Sequence, residues 1–252
     1  MEEKVLQGRK NGMLVLLLTI ALFLAAGIGL VFAIGSYMRG SILLICIAWL
    51  ALGWIPLLGL KILKPQEALV LTLFGKYYGT LKGEGFYFVN PFCSGVNPAA
   101  QTKLNQSGDV DSGKKNALGL VLAGSDTAAK IVEAGGKKIS MKIMTLNNNK
   151  QKINDCLGNP VEIGIAVMWR VQNTAKAVFN VDNFKEYLSL QCDSALRNIV
   201  RIYPYDVAPG IDTTGDGIAD EGSLRGSSEV VAQRIKDEIQ SKVNEAGLEI
   251  LE

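Results

Sequence analysis

Histidine is absent from all 252 residues, and its absence narrows the available chemistry. Ser-His-Asp and Cys-His catalysis as usually built, His-ligated metals and the commonest neutral-pH general acid/base are all removed. Cysteines and carboxylates remain. Cys46, Cys93, Cys156 and Cys192 are far apart, form no Cys-x-x-Cys, and include one within an apolar run. That spacing does not suit a disulfide frame or a zinc knuckle and reads as reduced thiols in a cytoplasmic setting. Cys156 follows Asp155 in a turn but has no visible base to activate it. The chain is therefore read as a non-enzyme.

One carboxylate constellation stands out. "DTTGDGIADE" (212–221) spaces Asp212, Asp216 and Asp220 by four, with Gly217 at the bend, as acidic calcium loops do. Against the EF-hand spacing it fails twice: the third ligand position holds Thr214, and the bidentate glutamate position holds Ser223. It is nearer to a thrombospondin-type repeat, which carries a further aspartate where Thr214 stands. Two readings stay open. One is a weak Ca2+ site making a calcium-responsive membrane protein; the other is a turn-rich loop with no cofactor.

The elements around these residues are dominated by the membrane. Mean hydropathy is +0.22, with the apolar excess packed into the first sixty residues. Residues 13–34, "MLVLLLTIALFLAAGIGLVFAI", carry no charge and as a helix reach about 33 Å, enough for a hydrocarbon core of about 30 Å. The run is too long for a cleaved signal peptide. Residues 41–60 repeat the pattern, so the simplest reading is a transmembrane hairpin after a cytoplasmic stretch, 1–12. Pro56, beside Gly53 and Trp54, points to a kink or a re-entrant second arm. Lys4, Arg9 and Lys10 before the hairpin and Lys61, Lys64, Lys76 and Lys82 after it, against Arg39 in the turn, place both ends in the cytoplasm. Trp54 and Tyr37 fit interfacial anchoring.

Beyond the hairpin, residues 66–92 read as short strands with turns at Gly75-Lys76 and Gly83-Glu84-Gly85. From about 94 to 138 the pattern dissolves into Gly, Ser, Asn and Lys, an insertion. "KISMKIMTLNN" resumes a strand. "VEIGIAVMWRV" puts Val161, Ile163, Ile165, Val167, Trp169 and Val171 on one face of a strand. Two amphipathic helices follow. The first is capped by Asp182, with Asp193 and Arg197 paired on its wet side. The second, about 228–246, repeats Val231, Ile235, Ile239 and Val243 on a face that wants its own sheet or a neighbouring subunit. The order suggests α+β. With 26 basic and 24 acidic residues, no nucleic-acid partner is indicated.

"QEALVLTLFGKYYGTLKGEGFYFVNPF", "GNPVEI", "WRV" followed by "NTAKAVFNV", and "ALRNIV" resemble the stomatin/prohibitin/flotillin superfamily, also called SPFH or band 7, over roughly 62–252. The resemblance implies small antiparallel sheets with packed helices and no catalytic residues. It also implies a membrane-anchored homo-oligomeric scaffold at the plasma membrane, organising lipid microdomains and holding a membrane protease or other integral proteins. The alternative is a regulatory subunit of such a protease or of a transporter. By the same resemblance Phe86, Phe88, Pro91 and Phe92 contact membrane lipid, against a reading in which they fill the sheet's core, and Cys93 is a candidate for acylation. Such proteins continue into an Ala- and Glu-rich coiled coil; the sequence stops at "GLEILE", so that coiled coil is missing, through truncation or an unusually short member.

Overall fold

The computed structural model describes residues 2–6, 11–35, 40–102, 136–206 and 223–252. They fall into two compact units, Lys4–Val96 and a second made of Met1–Glu3 with Asn97–Glu252. Asp212, Asp216 and Asp220, like Tyr37, Arg39 and most of the expected insertion, lie outside the described residues.

The first unit begins with α1 (Gly12–Gly35), 24 residues and so about 36 Å long. Its stretch Gly12–Phe32 is long and apolar enough to cross a membrane. Thr19 donates its hydroxyl to the Leu16 carbonyl at 2.8 Å, which satisfies it without water. The second apolar run, expected as a helix over 41–60 with a kink or re-entrant bend beside Pro56, is broken in two. α2 (Gly40–Leu52) has 13 residues, about 20 Å, too short to cross by itself. A break at Gly53-Trp54 leads into the short α3 (Ile55–Leu58). Pro56 therefore sits in a first turn, where its missing N–H interrupts no helical bond. Glycine is required at the break: a Cβ on Gly53 would stand 2.9 Å from Phe23 Cζ and 2.7 Å from the Trp49 carbonyl. Gly29 lies beside Cys46, while Phe23 meets Trp49 and Trp54 at ring distances of 6.4 and 5.2 Å. The two arms thus run antiparallel.

Strand β1 (Leu60–Leu63) follows and pairs antiparallel with β4 (Gly85–Phe88). β2 (Glu67–Leu73) lies between β3 (Lys76–Lys82) and β5 (Cys93–Gly95). Residues 93–95, expected at the mouth of the insertion, are a strand because Leu71 to Leu73 offer them a ladder. Leu63, Leu69, Leu71, Leu81, Tyr87, Val89 and Cys93 form the core. The N-terminal segment is tied to the same sheet: Thr80 donates its N–H to the Lys4 carbonyl and accepts from the Leu6 N–H, both at 2.9 Å.

In the second unit β6 (Ile139–Ser140) precedes β7 (Met144–Asn147), β8 (Gln151–Asn154), β9 (Pro160–Ile163) and β10 (Ala166–Val171), and β11 (Leu248–Ile250) closes the chain. The single strand expected over 161–171 divides at Gly164-Ile165 because its halves take different partners. β9 pairs with β8, and β10 with β7 and β11. The alternation survives the break: Val167, Trp169 and Val171 are buried, and Val161, Ile163 and Ile165 half-buried. Asp155 organises the turn after β8, accepting from the N–H groups of Leu157, Asn159 and Tyr205 and from the Asn159 side chain at 2.7 to 3.1 Å.

The helices are α4 (Thr174–Phe179), α5 (Phe184–Val200) and α6 (Ser228–Val243). Asn183, not Asp182, caps α5, accepting from the N–H groups of Lys185 and Glu186. Asp193 and Arg197 turn to other partners: Asp193 accepts from Asn148, just after β7, at 2.7 Å, and Arg197 donates to Gln151 of β8 at 2.9 Å. Val231, Ile235, Ile239 and Val243 are 5, 7, 1 and 0 % exposed, packed against α5 and β11 of their own unit. Of the two partners open to this face, its own sheet and a neighbouring subunit, the first is present: β11 covers it together with α5. α6 ends through a 3-10 turn at Gly247, whose φ of 66° is left-handed.

Candidate membrane-facing surface

The first unit holds the residues singled out for lipid contact, and its strand register decides which can make it. In the β1–β4 ladder Leu60 faces Phe88 and Ile62 faces Phe86. These four side chains share one face, while Leu63 and Tyr87 point into the core on the other. A two-stranded ribbon apolar on both faces needs cover on both. Part comes from the hairpin ends: a Cβ on Gly12 would lie 2.8 Å from Phe86 Cγ, and one on Gly59 2.9 Å from Phe88 Cε2. Ile62 is still 64 % exposed and Phe88 36 %.

Phe92 stands on a turn built by "NPF". The Asn90 side chain accepts from the Phe92 N–H at 3.0 Å and the Asn90 carbonyl from the Cys93 N–H at 3.0 Å, with Pro91 fixing the bend. The ring is 63 % exposed and stacks on Phe74, 85 % exposed, at 6.2 Å between centroids. Phe74 did not figure in the sequence reading. It occupies the first position of the two-residue loop between β2 and β3, where Phe74 and Gly75 have φ of 49° and 81°. Such loops favour Asn or Asp before Gly, and a bulky residue there costs roughly 1–2 kcal/mol. "FG" between two alternating runs carried that signal.

Position along the sheet ties this aromatic pair to the hairpin. Leu73 pairs with Cys93, and Val89, four residues before Cys93, donates to the Gly59 carbonyl at 2.9 Å. The tip therefore lies at the end of the sheet from which the apolar arms leave. Each exposed ring forgoes roughly 2 kcal/mol of transfer free energy while it faces water. Trp54 is 63 % exposed but leans on Phe23, eleven residues into α1 and about 16 Å from its start. The acylation candidate Cys93 is 4 % exposed within the core; burial pushes its thiol up, with Lys61 pulling weakly the other way. A buried, protonated thiol is a poor acyl acceptor.

Among the described residues, no group of three or more Cys, Asp or Glu side chains is arranged to hold a metal ion. No curated protein matches the chain. Residues 61–252 match the sequence model of the SPFH domain / Band 7 family, whose members are generally membrane-associated, non-enzymatic scaffolds that oligomerise. The register, the small antiparallel sheets and this match agree: the chain belongs to the SPFH domain / Band 7 family.

Proposed function

We propose that this protein is a membrane-anchored, homo-oligomeric scaffold of the plasma membrane whose Lys4–Val96 unit rests on the cytoplasmic leaflet and organises lipid and integral proteins around it. The observation that carries the reading is the attachment of both ends of the apolar hairpin to one sheet body, at the end where Phe74 and Phe92 are exposed. Segment 12–59 leaves that body beside Phe86 and returns to it at Leu60, as an anchor crossing the bilayer twice, or dipping into it, must do. The short descending arm reaches the sheet through α3 without a linker, which holds the aromatic tip at the headgroup level, where amphipathic and aromatic surfaces partition.

The test uses the full chain in liposomes with Cys156→Ser as background. Polarity-sensitive dyes are placed at Phe74→Cys, Phe92→Cys and, at the opposite end of the sheet, Glu84→Cys. Lipid-borne nitroxides should quench the first two and spare the third; equal access of all three to an aqueous quencher refutes the membrane face. Imaging of solubilised full-length particles then reads the assembly. A single stoichiometric integral partner in native pull-downs, in place of lipid and many minor proteins, makes the chain a regulatory subunit instead.

A further inference from the structure

β11 forms one outer edge of the three-stranded sheet β11-β10-β7, and a single side chain occupies two adjacent groups among those it turns outward. In the ladder with β10, Trp169 faces Ile250, Arg170 faces Glu249 and Val171 faces Leu248. The Gly247 carbonyl and the Leu251 N–H bond inward, to Gln172 and Met168. Strand alternation turns the Leu248 carbonyl and the Ile250 N–H the other way, where a further strand would pair. Gln240 of α6 takes both: its Nε2 donates to the Leu248 carbonyl at 3.1 Å, and its Oε1 accepts from the Ile250 N–H at 2.7 Å. One turn earlier Lys236 donates to the Leu251 carbonyl at 2.7 Å. A primary amide carries one acceptor and two donors on a single carbon. It can therefore replace the one residue that a parallel strand would set between positions 248 and 250. The second N–H of Gln240 is held by Asn244 Oδ1, which fixes the amide's orientation.

An edge with unpaired backbone groups and alternating apolar residues is a template for strand addition; β11 has the alternation, with Leu248 and Ile250 buried and Glu249 half-buried between them. We propose that Gln240 locks this edge: its amide closes β11 to an extended segment from a second copy of this chain and so confines self-association to other surfaces. The need is greatest in a protein whose copies are concentrated side by side on a membrane.

The experiment compares full-length detergent-solubilised wild type with Gln240→Ala, Gln240→Glu and Ile239→Val. Ile239→Val removes a buried methyl group from α6 without altering the hydrogen bonds of Gln240 to β11 and controls for lost stability. Gln240→Ala should raise exchange of the Ile250 amide at least tenfold, leave the inward Leu251 amide protected, and shift sedimentation to larger, concentration-dependent species. Gln240→Glu keeps an acceptor for Ile250 but sets a charge on the edge, and should stay at the wild-type size. The proposal is overturned if Gln240→Ala sediments as wild type, or if Gln240→Glu or Ile239→Val gives the same larger species.

Discussion

The Asp155 carboxyl, 5 % exposed, shows how much one side chain can fix. Burial pushes it up, yet hydrogen bonds from Tyr205, Asn159 and Leu157 together outweigh burial and leave it below its ordinary 3.8. A carboxyl depressed in the fold adds stability above its unfolded value and loses it as pH falls through the folded one. Below about pH 4, the melting temperature should therefore fall more steeply for wild type than for Asp155→Asn, which lacks the charge; parallel pH profiles would remove Asp155 as the cause. The cysteines separate just as sharply. Cys192 is buried and its thiol is pushed up to about 12, by burial first and by Asp193 second; Cys93 is also raised, whereas Cys156 is exposed. A maleimide should label Cys156 in the native protein and reach Cys93 and Cys192 only on unfolding. Mass spectrometry of the labelled peptides checks this, and early labelling of Cys93 would return it as an acylation candidate.

At the scale of elements, the β2–β3 hairpin and α6 make opposite compromises. The hairpin places Phe74 at φ 49°, where glycine would relax the backbone. Phe74→Gly should stabilise the sheet by about 1 kcal/mol in chemical denaturation while it weakens lipid quenching at Phe92. A fall in stability would mean the ring packs on protein rather than waiting for lipid. In α6 the four-residue repeat has its partners within the unit. Ile239, 1 % exposed, should cost about 2–5 kcal/mol when cut to alanine, read from denaturation midpoints. Aspartates at Ile235 and Ile239 would unfold the helix rather than report on assembly. Gln240, the next residue, supplies a polar function that the apolar repeat conceals.

For the whole molecule, the proposed anchor and the sheet body together predict a membrane topology. Lys4 is joined to β3 through Thr80, and Lys76 begins β3, so both must face the same compartment. Lys4→Cys and Lys76→Cys, each in the Cys156→Ser background, should react with an impermeant maleimide from the same side of sealed vesicles, the cytoplasmic one by the lysine bias. Labelling from opposite sides would separate the N-terminal segment from the sheet and sink the hairpin. The arms also differ in kind: among the described residues α1 alone has the length of a span, and the descending arm is broken at Gly53.

The sequence by itself determined what periodicity and composition can encode. Uncharged runs gave the apolar helices, alternation gave β2, β3 and β10, spacing by four gave the buried stripe of α6, and the motifs around "NPF", "GNPVEI" and "ALRNIV" gave the family. These signals are local, since each residue's preference depends on neighbours within a turn or a strand. Tertiary structure alone decided where a strand changes partners at Gly164, which residue caps α5, that Cys93 points inward while Phe92 points out, and that Trp54 meets Phe23 of α1. It also recruited β8 and β11, four and three residues long, which are too short to show a period. Their existence rests on hydrogen-bond partners distant in sequence, and so does the pairing of Phe74 with Phe92: strand register, not any local pattern, brings those two rings together.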